Sequence, residues 1–331
     1  MLKYLPVNLQ NLPLLALLFD TMQRVINFSI FTGLMLSLAI LLTHVERRLF
    51  FIPESSAIKE KNLFREICLE LVQILKIMTS NSAGKLTAYF KFLLGLSIIN
   101  LALFNQSVIG VDFKYPHLTS LIVIFLFLVS GLNGAVKGIR HFHLTLAYTN
   151  LVLGLVLQII IITSVGVVAK GVTVGDILTG QVPTLHPSFL KWNCCKFPIG
   201  SMTFIANFIL VLILMQQFDF FIESLSLNDI DQQSQKLLSF IKNLSVLNLG
   251  AVIVVLFLGG GLPLIGHHEP MGASWAGLIW FLVKIMAVVA GLIIVKTKIP
   301  VLNERQILHF IFYFLFPTFI IINILSIINY V

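Results

Sequence analysis

The stretch ILLTHVERRLFFIPESS, Ile40 to Ser56, closes an apolar run that begins near residue 26 and stops on Glu46, Arg47 and Arg48. A run of about 20 apolar residues is the length at which an α-helix crosses a hydrocarbon core. The charges that end it then stand where lipid gives way to water. Similar runs recur to the end of the chain. Of 331 residues, 58% are hydrophobic and 11% charged, and the mean hydropathy is +0.98. A water-soluble domain carries about 25% charged residues, so this chain lacks the polar surface to face water on all sides. The expected fold is all-α, a polytopic transmembrane helical protein.

Eight spans are predicted, at 26–45, 87–108, 117–134, 144–168, 201–218, 245–262, 273–295 and 306–330. Residues 1–25, broken by Pro6, Asn8, Asn11 and Pro13, read as an amphipathic or partly inserted segment, and 26–331 as one membrane domain. The N-terminus shows neither a secretory cleavage site nor an Arg/Ser-rich transit pattern. Insertion is therefore expected to rely on the spans themselves, as in a bacterial or organelle-encoded product. Within the long loop after the first span, NLFREICLELVQILKIMTSN sets Leu63, Ile67, Leu71, Ile74 and Met78 at helical spacing against a polar opposite side. This predicts an amphipathic helix over 63–80 lying at the membrane surface.

The net charge is +8. In a membrane chain it reports loops held on the negative side of the bilayer, next to anionic lipid, rather than a nucleic-acid partner. Placing the loop after the first span inside gathers Arg47, Arg48, Lys76, Arg140, Lys236, Lys242, Lys296, Lys298 and Arg305 there, whereas Lys114, Lys170, Lys191 and Lys196 fall outside. The inner face thus holds most of the polar chemistry. Of the three cysteines, Cys194 and Cys195 are adjacent and no C-x-x-C pattern exists, so neither zinc nor an iron–sulfur cluster is encoded by spacing.

Four blocks carry a family pattern. VKTKIPVLNERQILHFIFYFLFP, Val295 to Pro317, is similar to I-R-T-x-x-P-R-x-R-Y-D-Q-L-M-x-x-x-W-x-x-x-L-P, with Lys296, Thr297, Pro300, Gln306 and Pro317 on matching positions. GIRHFHLTLAYT, Gly138 to Thr149, parallels A-L-R-A-x-A-Q-x-I-S-Y-E through Arg140 and Tyr148. VERRLFF resembles the T-E-R-K that ends a first helix, and LVQILKIMT a surface helix whose lysine matches Lys76. In that order the chain resembles subunit 1 of respiratory complex I (NADH:ubiquinone oxidoreductase chain 1). It departs at Thr149, where the family has glutamate, at Gln73 for aspartate, and at QQFD, Gln216 to Asp219, which shortens T-N-R-x-P-F-D.

The resemblance implies a core membrane subunit of the proton-translocating enzyme, in the mitochondrial inner membrane or a bacterial plasma membrane. Such a subunit holds ubiquinone as bound substrate in a lipid-fed cavity, carries no flavin or iron–sulfur cluster, and sits against other membrane subunits and hydrophilic iron–sulfur subunits. Candidates for the cavity or proton path are Glu46, Arg47, Lys76, Arg140, Tyr148, Asp219, Glu223 and Lys296. By the residues alone, each admits a plainer reading. Glu46 and Arg47 mark a helix end with snorkelling side chains, Arg140 is a positive-inside flank, and Asp219 and Glu223 begin a solvated acidic loop. Other functions stay open: the anchor of a related hydrogenase complex, a small-molecule transporter, or a structural subunit. A transporter predicts inverted repeats and Gly/Pro-broken helices meeting at mid-membrane, whereas the polar residues here cluster at one face.

Overall fold

The computed structural model describes residues 32–42, 63–79, 142–169, 174–181, 192–196, 198–226, 232–262 and 275–330, with Met22, Ile26, Ser29 and Ile30. Every regular element among them is helical. In chain order these are α1 (Thr32–Leu42), α2 (Leu63–Thr79), α3 (Phe142–Ala169), α4 (Val174–Thr179), α5 (Ile199–Ser226), α6 (Gln232–Phe257), α7 (Trp275–Lys298), α8 (Glu304–Phe310) and α9 (Phe316–Tyr330). A 3-10 turn, Asn193–Cys195, precedes α5, and a π-helical turn, Ile311–Leu315, joins α8 to α9.

Among the described residues, four stretches are long and apolar enough to cross a membrane: Ile199–Phe220, Lys236–Phe257, Gly277–Lys298 and Arg305–Ile328. The chain is in this sense a membrane protein. They fall on the last four expected spans, with one shift. The span expected at 245–262 starts earlier and stops at Phe257, because Leu237, Phe240, Ile241 and Leu244 are buried on α6 and the chain then turns at Gly259 and Gly260. The spans expected at 87–108 and 117–134 lie outside the described residues, as does almost all of 1–25.

Helix α5 packs against α3, α6, α7 and α9, and α6 against α7. Of the spans, Lys236–Phe257 is the most enclosed, 94% buried against 28% for Arg305–Ile328. Side-chain contacts fix the directions. The rings of Phe204 and Phe257 lie 5.6 Å apart at one end of α5 and α6, and Asp219 meets Lys242 at the other, so the two run antiparallel. Gly250 of α6 faces Ile285 and Val289 of α7. Hydroxyls within the spans bond back into their own helix, as Thr203 does to Ile199 O (2.6 Å) and Ser245 to Ile241 O (2.9 Å). That local bond lets a polar side chain sit in an apolar layer.

The last span shows how one residue shapes a helix. Pro317 has no N–H to give the carbonyl of Tyr313, and its ring crowds that turn. The backbone widens into the π turn just before it, and Thr318 Oγ1 donates to Phe314 O at 2.6 Å. Tyr313 (78% exposed) projects from this turn, and Phe312 and Phe314 are exposed beside it. The amphipathic helix expected over 63–80 corresponds to α2, with Ile77 in the core, Leu71 and Ile74 packed on it, and Lys76 exposed.

Candidate functional site

Among the described residues, two polar clusters occupy opposite ends of the bundle. At the end assigned to the inner face, Asp219 of α5 takes both Lys242 of α6 (Oδ1 to Nζ, 2.6 Å) and Lys296 of α7 (Oδ2 to Nζ). The two lysine side chains are 11% and 9% exposed and the carboxylate 37%. The cations are therefore withdrawn beneath the acid, which keeps a face to solvent. One aspartate joins three helices. The three groups come from three different helices, so the site exists only while α5, α6 and α7 hold their register.

Beside it, α2 and α6 enclose a groove lined by Glu70, Gln73, Ile74, Ile77, Lys236, Ser239 and Phe240. Its walls are apolar and its rim polar. Lys236 lies six residues before Lys242 on α6, about 9 Å along the axis, so groove and ion cluster share one end of the bundle.

At the other end, Lys284 of α7 is 6% exposed, inside the span Gly277–Lys298. Its ammonium donates to Leu258 O (2.6 Å), Gly260 O (3.0 Å) and Leu262 O (2.6 Å) and lies 4.2 Å over the Trp192 ring. The sequence builds this cage locally. Gly259 (φ 70) and Gly260 (φ 55) hold the left-handed conformation that turns the chain after α6 and converges its carbonyls. The last carbonyls of a helix have no intrahelical donor and lie at the negative end of its dipole. Gln181 Nε2 donates to Val255 O at 3.0 Å, and Asn193 Nδ2 to Leu256 O at 2.7 Å. Gln181 Oε1 in turn accepts from Gly259 N (3.0 Å) and Asn193 N (3.2 Å). Lys284, Gln181 and Asn193 together cap α6.

Cys194 and Cys195 border this cap, their sulfurs 3.7 Å apart. Burial, reinforced by the neighbouring Cys195, pushes the Cys194 thiol up to about 12.

The structure thus brings together two residues singled out from sequence, Asp219 and Lys296, and adds Lys242. It leaves Lys76 exposed on α2. Tyr148 falls in the first turns of α3 and Glu223 near the end of α5. Glu46, Arg47 and Arg140 lie outside the described residues. Gln306, matched in the C-terminal block, starts a helix: its Oε1 accepts from Asn303 N at 2.9 Å. Lys284, Gln181 and Asn193 were missed. A lone lysine in an apolar span was the available signal, since an ionisable group at that depth marks a site by default. Polar residues also do not stop at one face: Gln158, Asn207 and Asn248 are buried within α3, α5 and α6. No protein-family model and no curated protein matches the chain.

Proposed function

We propose that the chain is a core membrane subunit of a proton-translocating NADH:ubiquinone oxidoreductase, lining a quinone cavity fed from the lipid at the inner face of the mitochondrial inner membrane. One observation carries this reading. Asp219, the aspartate kept in the shortened QQFD stretch, and Lys296, in the matched block VKTKIP, lie 77 residues apart and meet in one ion pair. In this reading the full chain crosses the membrane eight times, and the described spans are half of those crossings.

The chemistry suits such a substrate. A quinone passes through anionic forms as it takes up electrons, and fixed cations stabilise charge that develops during a reaction. Lys242 and Lys296 are such cations, pre-positioned by Asp219. The groove between α2 and α6 sets apolar side chains at Ile74, Ile77 and Phe240 beside hydrogen-bonding groups at Glu70, Gln73 and Ser239. Electrons would arrive from an iron–sulfur cluster on a hydrophilic partner subunit. The free energy of quinone reduction would reach neighbouring membrane subunits as a coupling between sites.

The test is made in the intact assembly. Asp219→Asn and Arg140→Ala are expected to slow quinone reduction by about tenfold or more while the complex still assembles. Lost assembly with normal specific activity would favour a purely structural subunit. A second reading, a small-molecule transporter, draws on the carboxamides Gln158 and Asn207 buried within the bundle. It requires that the purified chain alone drive solute uptake into vesicles.

A further inference from the structure

Gln158 on α3 is 1% exposed and Asn207 on α5 is 0% exposed. Neither carboxamide meets a protein hydrogen-bond partner through either its nitrogen or its oxygen. Their relative depth follows from the packing of α3 on α5. Gly154 lies so close to Leu214 that a Cβ there would come within 2.5 Å of Leu214 Cδ2. The helices run antiparallel, because the C-terminus of α3 and the N-terminus of α5 both lie near the turn that caps α6. Gln158 is about 6 Å beyond that contact along α3, and Asn207 about 10 Å from it along α5 in the same direction. The two amides therefore sit within about 5 Å of each other in depth.

They are also deep. Asn207 is eight residues into the span Ile199–Phe220, about 12 Å from its start. An unmet buried polar group costs roughly 1–3 kcal/mol, and the hydrocarbon around the bundle offers no relief. Four such atoms at one level are explained by a small polar ligand that both donates and accepts. Water fits, since buried water typically makes about three hydrogen bonds to such groups.

We propose that Gln158 and Asn207 line a water-holding site inside the bundle, joined to the Asp219 end by a polar path. Asn248 lies six residues deeper on α6 than Lys242, about 9 Å along the axis, and Gln217 is two residues from Asp219; both are buried. Carboxamides thus recur at successive depths between the ion cluster and Asn207. The proposal is independent of the quinone reading, because it needs only the packing of α3, α5 and α6.

Solid-state NMR of the full-length, unsubstituted chain in lipid bilayers tests the site. Magnetisation from water is expected to reach Asn207 Nδ2 and Gln158 Nε2 and not the methyls of Leu157 and Leu210, which are buried on the same helices. If the amide nitrogens receive no more than those methyls, the site is dry and the proposal fails. The path is tested by cysteine substitution in a chain with Cys68, Cys194 and Cys195 replaced by serine. Asn207→Cys is expected to react with aminoethyl methanethiosulfonate added at the Asp219 side at least about tenfold faster than Ala206→Cys, because a thiol in a dry apolar layer stays protonated and inert. Equal rates would remove the path to Asp219.

Discussion

Lys284 lies 4.2 Å over the ring of Trp192, holding the turn after α6 against the segment before α5. The same ammonium bonds three carbonyls of residues 258–262. A charge inside a span is tolerated here because the carbonyls replace its water shell.

Lys284→Met is therefore expected to destabilise the protein by about 3 kcal/mol, since the carbonyls of the turn after α6 lose their donor. Trp192→Phe keeps an aromatic face and should cost less than about 1 kcal/mol through the cation–π contact. Thermal unfolding in detergent measures both. Equal effects would mean that the ring, and not the carbonyl cage, holds the lysine.

Gly259→Ala tests the turn itself. Its φ is 70°, and an added Cβ would stand 2.7 Å from Trp192 Nε1. Left-handed strain and the clash act together, and a loss of about 2 kcal/mol or more is expected. Gly291→Ala, where the nearest atom to the new Cβ is Phe208 Cζ at 3.9 Å, should be close to neutral.

At the other end, Asp219→Asn and Lys296→Met should each lower stability by about 1 kcal/mol or less, because the carboxylate is 37% exposed and solvent screens the pair. The double variant should lose less than the sum of the two. Strict additivity in this cycle would show that the residues do not interact.

The Cys194 thiol, raised by burial and by Cys195 to about 12 from 9.0, gives a pH dependence. Below pH 9 the thiol is protonated in both folded and unfolded chains, and its contribution is constant. Between pH 9 and 12 the unfolded chain releases this proton and the folded chain retains it, so stability falls as pH rises. Cys194→Ser should flatten that part of the profile. Maleimide at pH 8 should modify the exposed Cys195 before the half-buried Cys194, read by mass spectrometry of the labelled peptide.

Legibility in the sequence was uneven for reasons that these residues make plain. The spans of α5, α7 and the last helix stood out because hydropathy is a sum over neighbours along the chain. The start of α6 did not, because Gln232, Gln233, Gln235 and Lys236 dilute the average although Leu237, Phe240 and Ile241 beyond them pack in the core. Asp219 and Lys296 were each singled out, but nothing along the chain joined them to Lys242. Lys284 was passed over because one charge barely lowers the mean of a long apolar window, while its partners are backbone carbonyls that no side-chain motif marks.

Composition and periodicity by themselves determined that this chain builds helices apolar enough for a bilayer. The tertiary structure alone decided which polar groups meet. Burying a side chain in lipid depends on its own chemistry and its near neighbours, which a sequence displays. An ion pair between α5, α6 and α7, or a lysine held by the end of another helix, depends on the register between helices. That register is set by packing at contacts such as Gly154 on Leu214 and Gly250 on Val289, far from the groups it brings together.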